Sequence, residues 1–168
     1  MRRVFLMGVL AAALSAVGSG EAYAAQYRTY MYVPGIPGSS VDADHPDWIE
    51  VLSMSQGVSS TKKAVACSDL SIMKSLDEAG PALWAAAAMG QVFQEIRIEV
   101  VNNGGDARAV VYDIRLSNAR VTSTQTSGSS ELPTESVSFS YQSIRLTFNP
   151  QDPKGGTTPG VPQTVNCQ

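Results

Sequence analysis

Two stretches flanking a glycine turn constrain this chain more than any other feature. Gln91 to Val101 reads QVFQEIRIEVV, with Ile96, Ile98 and Val100 on one parity and Glu95, Arg97 and Glu99 on the other. Ala109 to Val121 answers it, with Val110, Tyr112, Ile114 and Leu116 in phase. Between them lies Asn102-Asn103-Gly104-Gly105-Asp106, residue types that accept the backbone of a tight hairpin. Alternation of this kind means extended backbone with one apolar and one polar face. An isolated hairpin is marginal in water, so further strands or a helix must cover the apolar face.

The remaining chain supplies them. Gln26 to Val33 (QYRTYMYV) is rich in aromatic and β-branched residues and reads as a strand, ended by the loop Pro34 to Ser40. Asp47 to Ser59 alternates, with Trp48, Leu52, Met54 and Val58 on one parity, before a polar link from Ser60 to Lys63. Asp69 to Leu76 is a further strand, with Leu70, Ile72 and Leu76 in phase. Thr122 to Ser130 is rich in Ser, Thr and Gly and reads as a loop. Glu135 to Phe148 reads as one long strand whose phase slips: Val137, Phe139 and Tyr141 are odd, whereas Ile144, Leu146 and Phe148 are even. That slip predicts a bulge or sharp bend near Gln142-Ser143. After the Pro/Gly-rich Asn149 to Gly160, Val161 to Cys167 makes a last short strand.

One segment reads as helical. Gly80 to Gly90 (GPALWAAAAMG) has Pro in the first turn and Gly just past the end. Asp77 and Glu78 precede its positive end, where carboxylates are favoured. So short a helix needs tertiary support, so Leu83, Trp84 and Met89 are expected to pack on a sheet. With about seven strands, one helix and no βαβ alternation, the fold reads as mainly β, an antiparallel barrel or sandwich.

The first 24 residues read as an address. Arg2 and Arg3 precede the apolar run Val4 to Leu14, and Ala22-Tyr23-Ala24 fits the small-x-small cleavage rule. As a membrane anchor the run is too short: Ser15 and Gly18 interrupt it, below the roughly 20 residues a span needs. Cleavage is expected between Ala24 and Ala25, leaving residues 25–168 as a single domain that is periplasmic or secreted. Loss of Arg2, Arg3 and Glu21 leaves 10 cations against 14 anions, a net charge of −4. Such a chain is too acidic to bind nucleic acid by neutralising phosphates, and no later segment spans a membrane. Cys67 and Cys167 survive cleavage into an oxidising compartment. Three states stay open: a bond within the chain, two free thiols, or a bond between subunits. The first closes a loop of about 100 residues, which the chain-entropy treatment values at roughly 4–5 kcal/mol.

Catalysis finds little footing. The single His, His45, sits in Asp42-Ala43-Asp44-His45-Pro46-Asp47. It suggests either a metal site or a solvated polar turn, and the turn is favoured. The sequence contains no Gly-x-Ser-x-Gly elbow, P-loop or Gly-x-Gly-x-x-Gly. Asp77 and Glu78 read as helix-end charges rather than a glycosidase pair. The expectation is a protein with no enzyme activity, no cofactor and no metal. Only 16% of residues are charged, and such moderately apolar surface fits assembly.

Four segments, in order, carry a family resemblance. They are His45-Pro46-Asp47-Trp48-Ile49-Glu50-Val51-Leu52-Ser53-Met54-Ser55-Gln56-Gly57, Asp69 to Leu83, Glu135 to Ile144 and Asn149 to Gly156. Together they resemble the haemolysin-coregulated protein (Hcp) family, which forms the tube of bacterial type VI secretion systems. The resemblance runs from Tyr27 to Val165. It implies a two-sheet β-barrel with one short α-helix and no enzyme activity. It also implies homo-hexameric rings that stack, with a lumen able to carry effector cargo. Family members often have Ser where Gly80 is the expected N-cap. Tube subunits of the family normally lack a leader, so a second expectation stands beside the first. In it, a Sec-exported ring-forming or binding protein reuses the fold outside the cytoplasm. The loops Val33–Ser40 and Thr122–Leu132 are candidate contact segments.

Overall fold

The computed structural model describes residues 27–61, 64–104, 108–128, 132–152 and 156–167. The expected leader and its cleavage point at Ala24 and Ala25 lie outside the described residues. In chain order the elements are β1 (Tyr27–Tyr32), β2 (Ile49–Val51), β3 (Ser53–Ser55), β4 (Val58–Ser60), β5 (Val65–Cys67) and β6 (Leu70–Ser75). Then follow α1 (Ala79–Met89), β7 (Val92–Asn102), β8 (Ala109–Ser127), β9 (Thr134–Ser140), β10 (Ser143–Phe148) and β11 (Gln163–Asn166). The fold is mainly β with one helix. Nine strands form one antiparallel sheet along the path β2-β1-β7-β8-β9-β6-β3, with β10 paired to β8 and β11 paired to β10. β4 and β5 form a separate hairpin. The ladder path is open. Its two ends, β2 and β3, are separated in the chain by Leu52 alone.

The β7–β8 hairpin is the centre. Ile98 stands opposite Ile114 and Ile96 opposite Leu116. All four are fully buried, as alternation dictates. Between Val100 and Val101 the register shifts, so that Val100 faces Tyr112 and Val101 faces Val110. Val111 is the extra residue of that bulge, and it is buried.

The phase slip is shared by three strands. In β7 the buried positions pass from Ile96 to Phe93, and in β8 from Leu116 to Ala119 and Val121. Along the third strand they pass from Ile144 back to Phe139. β9 and β10 run along the same edge of β8, Ser140 facing Arg120 and Ser143 facing Ser117. The expected bend therefore falls at Tyr141-Gln142. Exposed Gln94, Asn118 and Gln142 lie level with one another across it. Asn118 adopts a left-handed φ of 49°, and its amide donates to Gln142 Oε1 at 2.8 Å. Each strand uses one extra residue at this kink, so the ladder keeps its register and the next apolar side chain still faces the core.

Several expectations need correction. β8 continues through Ser127, where a loop was expected from Thr122. Thr124 to Ser127 pair with Val137 to Thr134 of β9, and Thr is well suited to strands even without apolar alternation. In the segment from Asp47 to Ser59 the buried residues are Ile49 and Val51, of the parity opposite to that expected. The chain bends at Leu52, leaving β1 for β6; Leu52 is 59% exposed, while its N–H donates to Met73 O at 2.8 Å. Leu76, beyond the end of β6, is also exposed.

The helix is where it was expected, starting one residue earlier. Gly90 closes it with a left-handed φ of 62°, and Gln91 N–H donates to Ala86 O at 3.0 Å. Gly80 is not its N-cap. Glu78 holds that position without a side-chain cap bond, and Ala79 N–H donates to Asp77 Oδ1 at 2.9 Å. α1 packs on β8, and its buried residues are Ala79, Gly80, Leu83 and Ala86. Trp84 and Met89, expected inside, are 50% and 72% exposed. Because every side chain of α1 is apolar, periodicity could not choose its buried face.

Candidate functional site

Among the described residues, three arrangements stand apart from ordinary packing. The first surrounds His45. Its ring stacks on Tyr30 with centroids 4.5 Å apart and meets Trp48 edge-on at 4.7 Å. Nε2 lies 2.9 Å from Glu99 Oε2, and Nδ1 lies 3.1 Å from Asp42 Oδ1. Asp42 also accepts from the Tyr30 hydroxyl at 3.0 Å and from the Arg108 guanidinium at 2.6 Å. His45 is 3% exposed, which overturns the solvated-turn reading. The loop from Val33 to Ser40 helps to fold the turn inward: Asp47 N–H donates to Ser40 O, and Ser40 N–H to Trp48 O. Val33, Ile36 and Ser40 are themselves buried in their own subunit.

The electrostatics of this cluster are structural. Burial alone would raise the Asp42 carboxyl, but the Arg108, His45 and Tyr30 hydrogen bonds outweigh it and hold it far below the usual carboxylate range. The Tyr30 hydroxyl is pushed up, first by burial and then by its bond to Asp42. Both His45 nitrogens face partners within the cluster, and none of those partners is a nucleophilic hydroxyl or thiol. No group of three or more His, Cys, Asp or Glu among the described residues is placed to hold a metal ion.

The second arrangement is a buried ion triad. Lys74 is fully buried, with Nζ 2.7 Å from Glu135 Oε2 and 2.6 Å from Asp77 Oδ1; it also donates to Ser75 O at 2.9 Å. Asp77 thus does more than sit at a helix end. It links the helix start to β6, while Glu135 links both to β9. Lys74 occupies the position in phase with Leu70 and Ile72, so the sequence placed it inward by parity although its charge argued otherwise.

The third joins the cysteines. Cys67 and Cys167 are bonded as a disulfide, with Cα atoms 5.5 Å apart across 100 positions of sequence. The bond ties the end of β5 to the residue after β11.

Outside these arrangements several large apolar side chains reach the surface. Trp84, Met89, Val92, Leu52, Phe148 and Val161 are each at least half exposed. No helix among the described residues is long and apolar enough to cross a membrane.

With this geometry in view, the comparisons with known proteins converge. A family model described as the type VI secretion system effector, Hcp, matches residues 30–148, well over half of the chain. The chain belongs to the Hcp family. Protein hcp1 of Pseudomonas aeruginosa is 25% identical over 143 residues, spanning 78% of this chain and 88% of that protein. A solved structure described as that of a type six secretion system protein superposes with a TM-score of 0.76 at 26% identity, covering 83% of this chain and 95% of the other. Hcp1 from Salmonella typhimurium shares the fold, with a TM-score of 0.67 at 22% identity, covering 73% of this chain and 87% of its own. Hcp proteins are structural tube proteins of type VI secretion, not enzymes. An Hcp role asks nothing of His45 or Lys74 beyond holding the subunit's shape.

Proposed function

We propose that this chain is a ring-forming tube subunit that assembles as a homo-hexamer, stacks, and carries effector cargo in its lumen. The observation that carries the reading is the family match over residues 30–148. The exposed apolar side chains, Trp84, Met89, Phe148 and Val161 among them, are surface that contacts between subunits could cover. Cyclic closure lets identical subunits bury such surface without open-ended growth. The joining of the path's two ends, β2 and β3, through Leu52 supports a two-sheet barrel-like subunit.

Size-exclusion chromatography with light scattering on the mature protein tests the ring. A mass near six subunits is expected; a strict monomer at high micromolar concentration overturns it. Cargo is tested by co-elution of small effector proteins with the ring.

A second reading is favoured by the leader-like residues 1–24 and by the cystine, which an oxidising compartment would preserve. In it the subunit is exported, cleaved after Ala24, and forms its ring in the periplasm or outside the cell. N-terminal sequencing of periplasmic and cytoplasmic fractions separates the two. A chain starting at Ala25 supports export, and a cytoplasmic chain retaining residues 1–24 removes it.

A further inference from the structure

We infer that the Cys67–Cys167 disulfide is a redox latch: it pins the β4–β5 hairpin and the C-terminal strand β11 to the body, and its reduction releases both while the rest of the fold stays intact. The inference concerns a single subunit and needs no ring.

The two segments it joins are shallowly embedded in the described fold. All three residues of β4 are exposed, and β5 alternates between half-buried and exposed. β11 exposes Gln163, Thr164 and Asn166 and half-buries only Val165. Neither segment contributes a residue to the fully buried core, whose members lie in other elements. Segments with so little buried apolar surface open at low free-energy cost.

Between the two lies a groove of about 270 Å³ with Val58 on one wall, Val165 on another, and Tyr141, Ile144 and Leu146 among its lining. The cystine bridges from the hairpin side to the β11 side. Non-covalent ties at the hairpin's base are modest: the Tyr141 hydroxyl donates to Ser68 O at 3.0 Å, and Ser68 N–H donates to Gly57 O at 2.9 Å. On the other side, β11 is held by its four-residue ladder with β10, by Val165 against the edge of the core, and by Cys167 N–H donating to Gln142 O at 2.8 Å beside the kink row. Once the sulfurs part, each segment relies on its own few bonds. Cys67 and Cys167 are both half-buried rather than sealed.

The chemistry balances with a dithiol as reductant. Its thiolate attacks one sulfur, forming a mixed disulfide and expelling the other cysteine as thiolate. Its second thiol then displaces the first cysteine. Two electrons and two protons pass to the protein, leaving two cysteine thiols and a cyclic disulfide of the reagent.

Hydrogen–deuterium exchange read by mass spectrometry tests this on the full purified protein, oxidised and after dithiothreitol, with Cys67→Ser/Cys167→Ser as a second comparison. The oxidised protein should weigh two hydrogens less than the reduced one. At labelling times short against global unfolding, peptides from β4–β5 and β11 should exchange about tenfold faster or more in the reduced protein and the double variant, while peptides from β7, β8 and α1 stay protected. A purified oxidised protein without the cystine overturns the inference. So does exchange that is unchanged everywhere, which makes the bond passive, or exchange that rises throughout, which makes it a staple of the whole fold.

Discussion

Gly80 shows how one missing methyl group can hold a fold together. A Cβ built there would lie 2.8 Å from both carboxylate oxygens of Glu135. Glu135 cannot move aside cheaply, because it is bound to buried Lys74. Ala is the better helix former by about 1 kcal/mol, yet Gly80→Ala should destabilise the protein by about 1–3 kcal/mol, read from the urea midpoint. A midpoint that rises instead would show that helix propensity wins. Asp42 gives a pH prediction. Its carboxyl is held below its ordinary value, so the stability it contributes is complete above roughly pH 4 and lost as pH falls from there toward its folded value. Tm measured from pH 6 to pH 2 should therefore fall less steeply in Asp42→Asn, from a lower starting point. An equal acid slope would discount the network. Neither residue announced this role. His45 was surrounded by Asp and Pro, the residues of an exposed turn, and its burial depends on Tyr30, Glu99 and Arg108, which are distant in sequence. Lys74 was legible by parity and misleading by charge.

At the scale of elements, the shared kink is the feature that local sequence half revealed. The odd-to-even switch between Tyr141 and Ile144 was plain, because apolar residues mark both phases. The same switch in β7 and β8 went unread: it falls across the polar pairs Gln94-Glu95 and Ser117-Asn118, and beyond them few apolar residues mark the second phase. Asn118 is the residue on which the kink depends most. At a φ of 49° a β-branched side chain is strained, whereas Gly is at ease. Asn118→Val should cost about 1–3 kcal/mol in chemical denaturation, and Asn118→Gly clearly less despite losing the bond to Gln142. Equal losses would place the importance in that hydrogen bond rather than in the backbone. Long hairpins and the helix were legible because each is local. The end of β8 was not, because Thr124 to Ser127 become a strand only through β9.

At the scale of the whole molecule, several large apolar side chains lie uncovered on the single subunit, which the proposed ring would cover. If folded protein is held in rings, assembly stabilises it by mass action, so Tm should rise with protein concentration. Calorimetry over a hundredfold range in concentration checks this, and a constant Tm counts against assembly under those conditions. The family resemblance rests on four ordered segments with no catalytic motif among them, and what those segments carry is strand phase, turns and one helix start.

The two tryptophans occupy opposite surroundings. Trp48 meets the His45 ring, with the Arg97 guanidinium 5.3 Å from its own, while Trp84 stands half exposed on the outer side of α1. The protein therefore carries a pair of native optical reporters. With Trp84→Phe, emission follows the ionic cluster alone; with Trp48→Phe, it follows the outer side of the helix. Acid at the ionic cluster and any covering of the helix can thus be watched at separate places in one molecule, without attaching a dye.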